Sequence, residues 1–143
     1  MSRVLFVAVG SAAAQDDAAW RVLERLREGD DGPAGGSFDS LFTDRPGLDL
    51  LPALRDRDHV VVLDAMRGGG APGTVRRLDR RELALLERRL SSHSLGVADM
   101  LALGERLGEL PPRLDIIGIE AGPLDAVAAA AQVAALVHQP GMG

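Results

Sequence analysis

The chain has no cysteine in its 143 residues. That removes disulfide frameworks, thiol nucleophiles and thiolate metal sites, and it suits a reducing compartment. Lysine is missing too: all 16 basic residues are arginine, which excludes a Schiff-base amine and the lysine of a phosphate-binding P-loop. Long hydrophobic runs are also lacking. The apolar stretch Val4 to Val9 is too short to span a bilayer and has neither the long apolar region nor the small-residue cleavage site of a signal peptide. A cytoplasmic protein with no membrane partner is therefore expected. The net charge of -5 speaks against nucleic acid as a partner. Arg76, Arg77, Arg80 and Arg81 do cluster, but Asp79 and Glu82 interrupt them, as on a solvated helix face. At this length one domain, residues 1–143, is expected, since such a domain buries roughly 70% of its unfolded surface without staples.

The most informative stretch is HVVVLDAMRGGGAPGTV, from His59 to Val75. Val60 to Leu63 form a continuous, β-branched-rich apolar run, the pattern of a strand buried on both faces of a helix-covered parallel sheet. Asp64 follows directly, at the end of the expected strand, where open α/β sheets place their ligands. The run Gly68-Gly69-Gly70 comes next and lets backbone approach a partner closely.

The remaining elements fall into alternation. VLFVAV reads as a first buried strand ending at Gly10-Ser11. From Asp16, the residues Ala18, Ala19, Val22, Leu23 and Leu26 share one helical face, with Asp16 and Asp17 at the cap and first turn, where the helix dipole favours a carboxylate. Gly29 to Gly36 is a loop, Ser37 to Phe42 a weak strand, and Pro46 to Arg55 a short helix bearing Leu48, Leu50, Leu51 and Leu54. Beyond the glycine loop an extended segment is expected over Gly73 to Leu78. Asp79 to Glu82 reads as a capping-box variant, opening a helix with Leu83, Leu86 and Leu90 inward. Ser91-Ser92-His93-Ser94 precedes a helix with Val97, Ala98, Leu101 and Leu107 on one face. A helix N-terminus disfavours imidazolium and so favours at His93 the neutral ring a metal requires, although the default for a lone histidine in a polar loop is an ordinary capping or surface role. Leu114 to Ile119 is a last buried strand, and Pro123 suits the first turn of an alanine-rich closing helix. His59 reads as structural and His138 as part of an exposed tail. The fold class that results is three-layer α/β/α, a twisted, mostly parallel sheet of about five strands with helices on both faces.

Asp17, Asp64 and His93 are the residues such a sheet would bring to one edge. Two carboxylates and an imidazole suit a divalent metal with open positions, or equally an acid/base set in which one carboxylate orients the histidine. They are distant in sequence and no local motif such as HExxH supports either choice.

In four segments, taken in order, the chain resembles the hydrogenase maturation proteases: VLFVAVG, the acidic pair Asp16-Asp17, VVVLDAMRGGGAPGTV, and SSHSLGVADMLALGERLGELPPRLDIIGIE. Together they run from about Arg3 to Glu120, and the last two are the specific ones. The resemblance implies an endopeptidase that trims the C-terminal extension of a nickel-iron hydrogenase large-subunit precursor. It further implies that Asp17, Asp64 and His93 are the catalytic, metal-holding set, and that their metal is nickel already loaded in the precursor, for which zinc or cadmium can substitute.

Three departures accompany the resemblance. Ser11 stands where the family has Asn, Trp20 fills the stretch after the acidic pair where glycine is usual, and Phe42 to Gly47 retains only Gly47 of the Gly-Gly-Thr recognition loop. They raise a second reading, a non-catalytic metal-cleft or chaperone module for a precursor protein. A third, a nucleotide binder using Gly10 to Gln15 as a phosphate loop, is opposed by the two aspartates that follow.

Overall fold

The structure, a computed structural model, describes residues 3–10, 17–29, 37–90 and 96–138, apart from the side chains of 88–90. Among the described residues five strands form one sheet: β1 (Val4–Val9), β2 (Asp39–Thr43), β3 (His59–Met66), β4 (Val75–Arg77) and β5 (Arg113–Glu120). Their order is β2-β1-β3-β5-β4. β2, β1, β3 and β5 are mutually parallel, and only β4 runs antiparallel, against β5. The helices are α1 (Ala18–Glu28), α2 (Pro46–Leu54), α3 (Arg80–Leu90), α4 (Val97–Leu107) and α5 (Ala126–His138).

Strand alternation divides the core in two. Phe6, Ala8, Val61, Leu63, Ile117 and Ile119 face α1 and α5. Leu5, Val7, Val60, Val62, Met66 and Ile116 face α2, α3 and α4. The continuous apolar run of β3 is thus explained by helices on both sides, and the three-layer expectation holds with five strands.

Local chemistry sets the helix starts. Asp79 and Glu82 form the reciprocal cap expected from sequence: the Glu82 N–H donates to Asp79 Oδ1 at 2.7 Å and the Asp79 N–H to Glu82 Oε1 at 3.2 Å. The closing helix starts later than expected. Pro123 lies before it, and Asp125 caps it by accepting the N–H groups of Val127 and Ala128. Leu107 and Leu48, expected on inward faces, are 55% and 68% exposed, whereas Met100 and Gly104 turn inward on α4. Gly104 allows this packing, since a Cβ there would meet the side chains of Leu110, Leu51 and Leu54.

His59 is structural, as expected. At the amino edge of the sheet its Nε2–H donates to Asp115 Oδ2 at 2.6 Å, both side chains buried, with Arg113 Nε at 3.1 Å and Arg77 Nε at 3.4 Å from the same carboxylate. His138 is exposed and is the last residue of α5 rather than part of a tail beyond it. Among the described residues no helix is long and apolar enough to cross a membrane.

Candidate functional site

β3 carries Asp64 to the carboxyl edge of the sheet, but the strand does not stop there. It continues to Met66, because β5 extends equally far and pairs Asp64 with Gly118, Ala65 with Ile119 and Met66 with Glu120. On its other side β1 ends at Val9, directly opposite Asp64. Asp64 therefore sits where the sheet is still continuous toward β5 and already open toward β1. Alternation along β3 sends its side chain to the face of Val60, Val62 and Met66, beneath α3 and α4.

There it borders a cavity of about 110 Å³ whose other walls include Met66, Leu78, Leu83, Leu86 and the carboxylate of Glu87. Burial in this apolar setting pushes the Asp64 carboxyl up to about 8. Glu87 adds to the effect and the backbone N–H of Ala65 opposes it. Glu87 is likewise pushed up by burial, drawn back by the N–H groups of Ala98 and Val97, and pushed up further by Asp99. Two carboxylates thus share one partly apolar pocket, and no arginine contributes to the balance at Asp64. Such an arrangement favours a cation.

Asp17 is the N-cap residue of α1, yet its side chain makes no capping hydrogen bond; only its carbonyl joins the helix, accepting the Arg21 N–H at 2.9 Å. The carboxylate is therefore not committed to helix capping, the role that position alone would suggest. α1 lies on the opposite face of the sheet from the Asp64 side chain, so the two acids would converge only over the carboxyl edge. His93, the third expected residue, and Asp16 and Ser11 lie outside the described residues. Among the described residues no group of three or more metal-donor side chains occurs. The donor types fit a divalent ion all the same, with carboxylate oxygens from Asp17 and Asp64 and, by sequence, an imidazole nitrogen from His93.

The glycine loop after β3 is held by Glu120, a buried residue at the end of β5. Its carboxylate accepts the Gly68 N–H at 2.9 Å and the Gly70 N–H at 3.2 Å. A Cβ on Gly68 would come within 2.8 Å of Glu120 Oε1, so a side chain here would displace the carboxylate that holds the loop. Gly69 is required by conformation, at φ +88°.

The segment that replaces the expected recognition loop is closed on itself. Thr43 Oγ1 donates to Asp49 Oδ2 at 2.7 Å and accepts the Arg45 N–H at 2.9 Å, which ties the start of α2 to the end of β2. Trp20 packs edge-on against Phe42, ring centroids 5.8 Å apart, so two of the departures from the family pattern touch each other.

Sequence reasoning missed Glu87 and Glu120. For Glu87 a signal was present, since it stands four residues after Leu83 and one after Leu86, on the inward side of α3. For Glu120 there was none beyond its place at the end of a strand.

Comparison with known proteins adds a separate line of evidence. A family model described as Hydrogenase maturation protease matches residues 46–138. The chain is 32% identical over 120 residues to the Hydrogenase 2 maturation protease of Escherichia coli (strain K12), covering 82% of this chain and 72% of that protein. It is 31% identical over 121 residues to the hydrogenase expression/formation protein HupD of Rhodobacter capsulatus, of which the match spans 57%. Among solved structures, the hydrogenase maturating endopeptidase HybD from E. coli superposes with a TM-score of 0.70 at 26% identity, covering 96% of this chain and 92% of that one.

Proposed function

The chain belongs to the hydrogenase maturation protease family, and from that premise we propose that it is an endopeptidase removing the C-terminal extension of a nickel-iron hydrogenase large-subunit precursor after nickel insertion. The observation that carries this reading is Asp64: a carboxylate at the open carboxyl edge of the sheet, in a cavity it shares with a second acid and no arginine. Asp17, a cap residue whose carboxylate makes no capping bond, and His93 complete the donor set. These three hold the precursor's nickel, with zinc or cadmium able to replace it, and so restrict cleavage to precursor that already carries metal. The chain's own part is to orient that metal against the peptide with Asp17, Asp64 and His93, and to limit water with the apolar wall of Met66, Leu78, Leu83 and Leu86. Cysteine-free composition suits a cytoplasmic site of action.

The test is mass spectrometry of a hydrogenase large-subunit precursor co-expressed with and without this protein. Loss of a C-terminal peptide from nickel-loaded precursor alone is expected; equal trimming of nickel-free precursor would remove the nickel dependence. A second reading, a non-catalytic chaperone for the precursor, is favoured by the Thr43, Arg45 and Asp49 contacts, which engage with one another at the place of the recognition loop. Capture of the precursor with no change in its mass would establish that reading instead.

A further inference from the structure

A second hollow adjoins the Asp64 cavity. It encloses about 330 Å³, opens to solvent, and is lined by Gly68 of the glycine loop, Arg76 of β4, and Glu82, Leu85 and Leu86 of α3. Leu86 is also a wall of the Asp64 cavity. One side chain is thus common to both spaces, and a chain that leaves Asp64 over Leu86 enters the groove.

The wall made by the glycine loop is fixed from behind. Glu120 holds the Gly68 and Gly70 N–H groups with its carboxylate, while its backbone accepts the Gly73 N–H at 3.0 Å and donates to the Thr74 carbonyl at 2.9 Å. Both ends of the loop are tied to one buried residue of β5, so the wall needs little reordering to receive a ligand. On the other side Leu85 is 55% exposed, a large apolar side chain left uncovered beside the half-buried Leu86. The charges at the rim answer each other, Arg76 Nη1 donating to Glu82 Oε2 at 2.7 Å. Such a groove suits an uncharged apolar side chain and disfavours a charged one, which would lose water without gaining a partner.

We propose that this groove is a specificity subsite for the precursor: it receives an uncharged, apolar side chain of the extended peptide next to the bond cut at Asp64, and Leu85 is the residue that selects it. The inference rests on reading the chain as an endopeptidase that acts at Asp64. The occupant follows from continuity. A peptide with its scissile bond at Asp64 has to continue beyond that cavity of about 110 Å³, and the Leu86 wall leads it into a space three times larger, at the lower end of the range of roughly 300–1,000 Å³ for ligand pockets.

Processing of nickel-loaded precursor by the intact chain, followed by mass spectrometry, tests the subsite. Leu85→Asp should lower kcat/KM about tenfold or more, the usual worth of an apolar pocket contact. Leu85→Met, which keeps the apolar bulk, should restore most of that loss. Val127→Asp is the control, a side chain 57% exposed on α5, across the sheet from α3, and it should leave kcat/KM unchanged. The precursor is then altered in turn, with Asp placed one position at a time on either side of the cut. At one of those positions Asp should slow the wild type about tenfold or more, and Leu85→Arg should recover processing of that altered precursor while losing the parent.

Wild-type kcat/KM in folded Leu85→Asp overturns the subsite. So does an equal loss in Val127→Asp, or slow processing of the Asp-bearing precursor that Leu85→Arg does not relieve. Absence of any trimming by the wild type overturns the endopeptidase reading, and the subsite with it; that failure is told apart because the unaltered chain is then as inert as its variants.

Discussion

Replacing Asp115 should show how the end of the sheet away from the site is held together. Its carboxylate is 4% exposed and receives the His59 Nε2–H at 2.6 Å, with Arg113 Nε at 3.1 Å and Arg77 Nε at 3.4 Å. Burial alone would raise its pKa, but the hydrogen bond from His59 and the charges of Arg113 and Arg77 outweigh that and hold it below the usual carboxylate range. The bond to His59 is the buried one and is worth about 1.5–3 kcal/mol as a charge-assisted hydrogen bond. The arginine side chains, 38% and 27% exposed, add no more than about 1 kcal/mol each after solvent screening. Asp115→Ala should therefore cost about 3 kcal/mol at pH 7, with the imidazole left unsatisfied inside the sheet. On the scale of about 2–4 °C per kcal/mol, the melting temperature should fall by about 6–12 °C.

The pH dependence of that loss follows from the sign of the shift. The folded pKa lies below the unfolded value of about 3.9, so on acidification the unfolded chain takes up the proton first. The stabilisation is complete above that value and disappears as the pH falls through the folded pKa. Urea denaturation of wild type and Asp115→Ala at pH 7 and again near pH 3 would measure it, and the two proteins should converge in acid. A loss below about 1 kcal/mol at pH 7, or a difference that does not shrink on acidification, would refute the reasoning.

Further outcomes are expected nearer the site. Asp64→Asn should abolish nickel binding without lowering the melting temperature of the metal-free protein, because it removes a carboxylate from a pocket already holding Glu87; calorimetry and a thermal scan on one sample would check both. Glu120→Ala should cost about 1–3 kcal/mol and expose the Gly68 and Gly70 amides to hydrogen exchange, since both donate to that carboxylate. Gly118→Ala should destabilise by about 1–3 kcal/mol in denaturant, because its Cβ would stand 2.5 Å from Met66 Sδ and 3.0 Å from Leu78 Cδ1 in a packed layer.

The layers of the fold were legible because each rests on local periodicity: the run Val60 to Leu63 has the pattern of a strand covered on both faces, and Asp79 with Glu82 named its own cap. Asp64 was legible for the same reason, although its strand runs on to Met66 through pairing with β5, a partner remote in sequence. The inward place of Glu87 was legible from the spacing of Leu83 and Leu86, but its partners and those of Glu120 were not, since each accepts N–H groups from a segment brought near by the tertiary fold. Leu107 has the spacing of a core residue, but α4 turns Met100 and Gly104 inward and leaves it in solvent.

The antiparallel strand β4 has a consequence for behaviour at high concentration. An exposed sheet edge is a template on which another chain can add, and proteins blunt such edges by making them short and charged. β4 is three residues long, Val75, Arg76 and Arg77, with Arg76 paired to Glu82 and Arg77 bonded to the Leu136 carbonyl of α5. It closes the β5 side of the sheet with too little free backbone to recruit a neighbour. The other end of the strand order is the five-residue β2, whose Asp39 is paired with Arg57 at 2.6 Å, so charge stands on both outer strands.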